Sequence, residues 1–596
     1  MSLRLEEPLI SDFSRGKEVK FSIDGREIKA YSNETVAVAL LASRRRILMR
    51  SVKFHRPRGN FCFRGRCARC LMKINGIPNV RACDTLVRNE MTVESQNAYP
   101  DVQTDILSIF DKFSNYFTAG LQYHKFIRPK FLQQLYLNML GRFIGLGTIP
   151  EKTNEKELKP YMTKKTDIAI IGGGPAGISA AIHTSNPHIE TTLIDENDGL
   201  GGNLNFRKDE FVGITDYEET KNYEVVKKLI QELKEAPNIE VLTNAVVEGY
   251  YGNGEHTLGI VSDKQVIKLH AKRIVIVTGS YDAAGTFENN DLPGVYSARG
   301  IEKLLNVYGV KPGNDAVMLG GGSLALRVSK LMLEAGINVQ GIVTKHQKLT
   351  LNSKQSVELP IINRAIIERA RGRKEVKGVT IVDIDESGNV IPRTRRNMNC
   401  DVIGISYLQP TYELQFQIGC KLSYDPGLGG FVALHDDNMQ TSIQGVFVAG
   451  DAAGIKSPAG SIIEGRIAGL SSILSLGVED IGKEDLRRAY IKMLPKERLE
   501  TAKMIGGKRR YVCFCEDVNE SEIVNAIHQG YSHIEMLKRY TGVSTGSCQG
   551  KFCLISLIEI LAKETGKSFD EVGVPTQRPP IKPVYLSDLA SEDVER

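Results

Sequence analysis

No uninterrupted apolar run in this 596-residue chain comes near the ~20 residues that a membrane-spanning helix needs, so an integral membrane protein is not expected. The opening Met1-Ser-Leu-Arg-Leu-Glu-Glu7 has no apolar stretch of the secretory kind, and a cytoplasmic setting is the expectation. A large excess of charge of either sign is also lacking. The 77 basic and 71 acidic residues leave a net +6, too small an excess to argue for nucleic acid as a partner. Tryptophan is missing altogether, which decides nothing. Global disorder and fibre are excluded by 41% hydrophobic and 25% charged residues, and the length suits about four domains. Cysteine is absent from the whole stretch between Cys83 and Cys400.

The ten cysteines that are present are not scattered. Four fall at Cys62, Cys67, Cys70 and Cys83, four more at Cys513, Cys515, Cys548 and Cys553, and only Cys400 and Cys420 stand alone. In a reducing compartment, clustered cysteines point to metal or redox chemistry rather than structural disulfides.

Cys62-x4-Cys67-x2-Cys70-x12-Cys83 is the plant-type ferredoxin spacing for a [2Fe–2S] cluster. Three thiolates on one tight loop surround the cluster, and the fourth arrives from a neighbouring element. Gly59 and Gly65 let the backbone approach. Zinc is the alternative, but structural zinc sites use paired short knuckles, and no second short pair follows Cys70. From Thr35 to Cys83 there are twelve Lys or Arg and no Asp or Glu. Cations around an anionic four-thiolate cluster stabilise it and raise its potential. A phosphate-binding surface, or a face that docks an acidic partner, is the competing explanation of that charge. Upstream, residues 18–30 predict two short strands about an Asp24-Gly25 turn, and a helix is expected from about Thr35 to Ser43.

Cys513-x-Cys515-x32-Cys548-x4-Cys553 is not a zinc-finger spacing. It resembles the bacterioferritin-associated-ferredoxin-like [2Fe–2S] domain, with short helices expected between Glu520 and Thr541. A structural zinc or an empty remnant is the alternative.

Between the cysteine groups lies nucleotide machinery. Strand Asp167–Ile171 runs into Gly172-Gly-Gly174-Pro175-Ala176-Gly177, a G-x-G-x-x-G turn opening a helix whose N-terminus favours a pyrophosphate. Strand Thr192–Ile194 then ends in Asp195 and Glu196, where a ribose-hydroxyl acceptor is expected. Leu200-Gly-Gly202-Asn203 supplies a further turn. Thr278-Gly279-Ser280 and Gly445-Val-Phe-Val-Ala-Gly450-Asp451 match the middle and second FAD motifs of two-dinucleotide flavoproteins, in which the aspartate contacts the flavin's ribityl–phosphate region. A second Rossmann turn, Gly320-Gly-Gly322-Ser-Leu-Ala325, suits a nicotinamide nucleotide. Its following strand lacks the terminal acid and is followed by Lys345, His346 and Lys348, which leaves NADP, NAD or a degenerate site open. Disulfide reductases of this fold carry a cysteine pair shortly after the first nucleotide motif. None is present, so that chemistry is disfavoured, and Cys400 and Cys420 are expected to be ordinary core residues. No His or carboxylate stands out as a substrate base, so no catalytic residue is assigned.

The expected fold is therefore α/β: a two-dinucleotide-binding (FAD/NAD) flavoprotein core between an N-terminal β-grasp ferredoxin-like domain and a small C-terminal helical domain, each with a [2Fe–2S] cluster. The boundaries are 1–100 ferredoxin-like, 101–164 helical connector, 165–480 dinucleotide-binding with its second Rossmann unit about 300–410, 481–507 helical connector, 508–574 second cluster domain and 575–596 Pro-rich tail. Residues 101–145 are expected to be helical, with nine aromatics from Phe110 to Phe143 packing on neighbouring domains. Residues 151–165 are expected to be a charged linker, and the tail to lie extended along a partner or its own surface.

This order of modules resembles the α subunits of heteromeric sarcosine oxidases and the related subunits of dye-linked proline or hydroxyproline dehydrogenases, opine oxidases and hydrogen cyanide synthase. The resemblance rests on Phe54-His-Arg-Pro-Arg-Gly59, Gln96-Asn-Ala-Tyr-Pro100, Asn290-Asp-Leu-Pro-Gly294, Lys538-Arg-Tyr-Thr541 and Cys548-Gln-Gly-Lys-Phe-Cys553. Sarcosine oxidase α subunits lack many of the eight clustered cysteines and continue into an aminomethyltransferase-like domain. With no room for that domain before Arg596, a cluster-bearing dehydrogenase is expected rather than folate-coupled sarcosine oxidation. The resemblance implies that amine oxidation takes place on an FAD-containing β subunit, with further small subunits in some relatives. Electrons would then pass, through an FMN at the subunit interface in one version, to FAD (NAD or ATP in some relatives) and two [2Fe–2S] clusters, and on to an external acceptor. The rival from another class is a self-contained NAD(P)H:acceptor oxidoreductase loading electrons at Gly320. A third is a non-catalytic scaffold.

Overall fold

A computed structural model describes residues 2–116, 128–143, 147, 158–252, 254–347, 359–495, 510–590 and 592–593. The chain divides into two compact units, each assembled from three stretches of sequence. One takes Met1–Lys152, Asp282–Tyr407 and Ala502–Pro575; the other takes Thr153–Tyr281, Leu408–Thr501 and Thr576–Arg596.

The first unit begins with a hairpin, Glu18–Ile23 against Arg26–Tyr31, in which Ile23 faces Arg26 across a two-residue turn. Asp24 and Gly25 both take positive φ, 49° and 75°, the combination that matches a turn to the twist of its strands. Val19, Phe21 and Ile23 alternate inward. The hairpin joins a five-stranded sheet in the order Arg26–Tyr31, Glu18–Ile23, Thr92–Glu94, Leu71–Ile74, Ile77–Arg81. All seven residues of the helix Val36–Ala42 are buried, and Thr35 caps its first turn through Val38. The strands around the anticipated turn and the helix between its two caps stand where the sequence places them.

Within the same unit, five parallel strands run in the order Val295–Ser297, Val402–Ile405, Asp315–Leu319, Asn338–Val343, Ile361–Ile362. They are apolar almost throughout, as strands covered on both faces must be. A hairpin, Tyr511–Cys513 with Val518–Asn519, leads into the helices Glu520–His528, Ile534–Thr541 and Leu554–Thr565. Asn519 and Glu522 form a capping box that starts the first of these helices.

The second unit is built on a sheet whose long strand Val266–Ile276 has partners on both edges. Pro160–Ile171 runs parallel along one edge. Along the other, His256–Ser262 pairs antiparallel with its first half and Val446–Val448 pairs parallel with its second. Thr191–Ile194 and Ile239–Leu242 extend the parallel side. The helix Pro458–Leu474 is buried at fifteen of its positions and packs on the helix Pro175–Thr184. A Cβ on Gly465 would lie 2.2 Å from the Ala176 carbonyl oxygen, and one on Gly469 2.3 Å from that of Ala180, so this close packing requires glycine at both positions.

Three expectations need correction. The charged linker ends early, because Pro160–Ile171 is strand from its first residue, with Tyr161 to Thr166 paired to Val266 to Ala271. Lys164 sits on the half-exposed part of that strand and pairs with Glu240, so its charge hid a sheet position. Residues 101–145 are not uniformly α-helical: Ile106–Tyr116 is a 3-10 helix, Lys130–Phe143 is an α-helix, and residues 117–127 lie outside the described ones. Nor do the aromatics all pack inward; Phe110 meets His55, whereas Phe131 is 70% exposed. The Pro-rich tail lies along its own unit: the Ile581 N–H donates to the Glu248 carbonyl, Gln577 Nε2 to the Tyr412 hydroxyl, and Glu592–Asp593 pairs with Pro160–Tyr161. No helix among the described residues is long and apolar enough to cross a membrane.

Candidate functional site: a nucleotide cradle and two cysteine tetrads

In the second unit, the strand Pro160–Ile171 delivers the chain to Gly172, whose φ of 115° turns it toward the helix Pro175–Thr184. A Cβ on Gly177 would meet the Gly172 carbonyl oxygen at 1.8 Å, so only glycine lets the helix start so close to the strand. Gly174 caps that helix and faces open space, with Pro175 at the first helical position, where its missing N–H costs nothing. Asp195 closes the loop from the neighbouring strand. Its Oδ2 accepts from Gly173 N at 2.5 Å, and its Oδ1 accepts from Asn197 N and Nδ2 at 2.8 and 2.7 Å. Burial, only partly offset by those bonds, raises its carboxyl above the ordinary value. A carboxylate has about four acceptor positions, so one remains for a ribose hydroxyl. Glu196 is instead engaged by Lys582 of the Pro-rich segment at 3.1 Å. The Gly201 N–H donates to the Gly173 carbonyl at 2.7 Å, which sets the turn carrying Gly202 and Asn203 beside the first glycine loop.

The two later motifs come to this same unit. Ser280 Oγ donates to Asp451 Oδ2 at 2.6 Å, and the Thr278 and Thr411 hydroxyls meet at 2.6 Å. The Thr411 N–H donates to the Gly279 carbonyl. Gly450 N donates to Glu464, which Lys456 also engages. Thr411, Glu464, Lys456 and Lys582 were not foreseen. None belongs to a glycine motif, and none is marked by the sequence around it. An open helix N-terminus, an acceptor on Asp195 and an aspartate on the opposite turn are what a dinucleotide's pyrophosphate, its ribose and the hydroxyls of its second sugar require.

The first unit holds the second nucleotide turn and both cysteine groups. Gly320 and Gly322 take φ of 110° and 115°, and Gly322 opens the helix Ser323–Glu334 with a face clear of neighbours. Lys345 and His346 follow the strand end at Val343, while Lys348 falls outside the described residues.

Cys62, Cys67, Cys70 and Cys83 are all buried. Positive φ at Phe63, Gly65 and Ala68 curls the loop, so that Gly65 N donates to Cys83 Sγ at 3.3 Å. Burial opposes ionisation of Cys62, but hydrogen bonds from Cys67, Cys83 and the N–H groups of Arg66 and Arg64 hold it well below the usual thiol range. Cys83 is linked in turn to Cys70. In the second group Cys513, Cys548 and Cys553 are buried and Cys515 is half-buried. Cys515 and Cys548 Sγ lie 3.1 Å apart, and Cys513 contacts both Cys515 and Cys553. Cys553 sits at the N-cap of Leu554–Thr565, where the helix dipole favours negative charge. No group of three or more His, Cys, Asp or Glu among the described residues is laid out around a single-ion position. Each group is instead a chain of pairwise thiol contacts with backbone donors, buried but for the half-exposed Cys515, a donor set that suits a thiolate-held [2Fe–2S] centre.

A buried charge network ties together the segments that carry the two tetrads. Asp291 accepts from Arg56 at 2.7 and 2.8 Å and from Arg58, and Arg58 also engages Asp517. Asp517 Oδ2 accepts from the N–H groups of Lys53 and Phe54 at 3.0 and 3.1 Å. Asn290 Nδ2 donates to the Tyr511 carbonyl at 2.9 Å, and both Arg56 and Arg58 lie over the Tyr511 ring. Despite its burial, Asp291 is held far below the usual carboxylate range by the two guanidinium groups. The motifs Phe54–Gly59 and Asn290–Gly294 thus converge with the strand that carries Cys513. Four arginines of the basic stretch are thereby withdrawn from the open face for phosphate or an acidic partner that was the competing explanation of its charge. Arg50, Arg56, Arg58 and Arg69 are at most 5% exposed.

Cys400 and Cys420 are buried core residues. Burial, together with Asp401 and Asp315, pushes the Cys400 thiol up to about 12, and burial raises that of Cys420. Neither is a ready nucleophile.

Family models match this chain as a 2Fe-2S iron-sulfur cluster binding domain over residues 16–98, as a pyridine nucleotide-disulphide oxidoreductase over 166–468 and as a sarcosine oxidase A3 domain over 507–593. The alpha subunit of sarcosine oxidase from Rhizobium meliloti (strain 1021) is 26% identical over 96% of this chain, which spans only 58% of that protein's length. An opine oxidase subunit from Rhizobium meliloti (strain 1021) is 23% identical over 71% of this chain and 98% of its own. The crystal structure of L-proline dehydrogenase from P. horikoshii superposes with a TM-score of 0.72 at 24% identity, covering 98% of this chain and 99% of that one; this likeness is one of fold. The resemblance stated from the motifs is borne out, as are the N-terminal [2Fe–2S] domain and the dinucleotide-binding core.

Proposed function

The chain is an oxidoreductase that belongs to the pyridine nucleotide-disulphide oxidoreductase family, and from that premise we propose that it is the electron-transferring α subunit of a heteromeric flavin-dependent amine or amino-acid dehydrogenase or oxidase. Its donor substrate would belong to the sarcosine, proline, hydroxyproline or opine class. A hydride from the carbon beside a secondary amine would be taken on an FAD-containing partner subunit, with or without an FMN at the interface. One observation carries the proposal: a single compact unit gathers two complete cysteine tetrads about one buried charge network.

FAD and two [2Fe–2S] centres would supply the conversion of a two-electron donor into single-electron steps. This chain's residues hold and insulate. Gly172, Gly174, Pro175, Ala176 and Gly177 present the helix N-terminus to a pyrophosphate, and Asp195 offers its remaining acceptor to a ribose. Gly202, Asn203, Thr278, Gly279, Gly450 and Asp451 complete the cradle. Cys62, Cys67, Cys70 and Cys83 would ligate one centre, and Cys513, Cys515, Cys548 and Cys553 the other. Although the family takes part of its name from disulfide chemistry, no thiol here supports that step, since Cys400 and Cys420 are buried in their raised, neutral form.

Iron, sulfide and flavin should be assayed in anaerobically isolated protein; about four irons per chain and one flavin are expected. With its partner subunit, the protein should reduce a dye at the expense of a secondary amine. The preserved turn at Gly320 and Gly322 favours a second reading, a self-contained NAD(P)H:acceptor oxidoreductase. Dye reduction by NAD(P)H with the isolated chain, indifferent to amines, would select it.

A further inference from the structure

Arg69 lies where the two tetrads approach each other, and the electron-transfer reading gives it no task. It belongs to the loop of the first tetrad, between Cys67 and Cys70. Its guanidinium carbon nevertheless lies 4.9 Å from the ring centre of Phe514, the residue between Cys513 and Cys515. The same carbon is 5.6 Å from the ring centre of Phe61, the neighbour of Cys62. Phe61 in turn meets Phe552, the neighbour of Cys553, edge-on at 5.6 Å. Cys62, Cys67 and Cys548 share one continuous buried core with Phe61 and Phe552.

Arg69 is 2% exposed, yet its charge has no carboxylate of its own. Nη2 donates to the Asp291 backbone carbonyl at 2.6 Å, while the Asp291 carboxylate is engaged by Arg56 and Arg58. Nε and Nη1 find no hydrogen-bond acceptor among the described residues. A buried cation with two unused donors is tolerated where something negative answers it. On the two-cluster reading, the negative charge on either side of Arg69 is that of the thiolate-held centres themselves.

We infer that Arg69 is the counter-cation shared by both metal centres. Its charge favours the additional electron whichever tetrad holds it, and so raises the two reduction potentials together. The flanking rings exclude the water that would otherwise screen it. Arg64, by comparison, faces Asp282 at 3.7 Å and neighbours the first tetrad alone.

This role for Arg69 rests on the two-cluster reading, and one experiment separates the two. Full-length protein, assembled anaerobically as wild type, Arg69→Met and Arg69→Lys, is titrated reductively under electron paramagnetic resonance. In Arg69→Met both centres should become at least tenfold harder to reduce, a downward shift of about 59 mV or more for a one-electron couple, while Arg69→Lys stays much nearer wild type. A shift confined to the first centre, or none in either, overturns the shared role. About two irons per chain and one signal in the wild type would instead sink the two-cluster reading, and the shared role with it. Should the neutral variant fail to assemble, the wild type decides: its fully reduced spectrum should show the two spins interacting. Two superposed, non-interacting signals would place the centres too far apart for one side chain to serve, and the shared role would fall.

Discussion

The two tetrads present the same donor set in different electrostatic surroundings. The first lies in a stretch with twelve basic and no acidic residues, with Arg64 half-buried near Cys62 and faced by Asp282 at 3.7 Å. The second is followed at once by Glu516 and Asp517. Asp517 is answered by Arg58, but Glu516 has no ion pair among the described residues, and burial with the nearby Cys513 and Asp517 pushes its carboxyl up to about 7. Cations beside a cluster raise its potential and anions lower it. Identical ligands therefore do not make equivalent centres. The first tetrad should be the better electron acceptor, and electrons that reach the second should drain toward it.

The comparison breaks most completely if one tetrad is removed. Cys67→Ser should abolish the first centre and Cys553→Ser the second, each lowering iron by about half and erasing one of two paramagnetic signals. Loss of both signals from either variant would mean that the tetrads do not assemble separately.

A smaller effect should follow from cutting what joins them. Asp291→Asn removes the carboxylate between Arg56 and Arg58 and leaves Arg58 with Asp517 and Arg56 with the partly exposed Asp111 as their remaining counter-charges, which should cost up to about 3–5 kcal/mol in denaturant unfolding. The same group sets a pH dependence. Its folded pKa is depressed, so its contribution is present above the unfolded value of 3.8 and is lost as pH falls through the lower folded one. Wild type should lose stability in acid more steeply than Asp291→Asn. Parallel curves would show that the network is not where the charge is held.

How much of this was legible in the sequence follows from what each feature depends on. Asp24-Gly25 and Thr35 announce themselves because a hairpin turn and a helix cap are local chemistry, decided within a few residues. The glycine turns and cysteine spacings are local too. The convergence of Arg58, Asp291 and Asp517 is not, because its pairs are separated by 233 and 459 positions. In the sequence those arginines have no visible partners and read as counter-charge to the cluster or, in the competing explanation, as an exposed basic face. The early start of Pro160–Ile171 escapes for a related reason: its partner strand Val266–Ile276 lies far downstream, and its lysines look like linker. Thr411 and Lys582 likewise reach the nucleotide cradle from segments that carry no motif.

The finest test of the contrast exchanges charge without touching a ligand. Above about pH 8, where its raised carboxyl is ionised, Glu516→Gln removes an acid beside the second tetrad and should raise the potential of that centre alone. Arg64→Met should lower that of the first alone. Each side chain is partly buried and acts on one neighbour, so each shift should be about 1 kcal/mol or less, a fewfold change in the reduction equilibrium. The two changes together should narrow the gap by the sum of the single variants, since they stand near different tetrads. If Glu516→Gln moves both centres equally, the second tetrad has no private electrostatic environment, and the downhill order from Cys513 to Cys62 loses its physical basis.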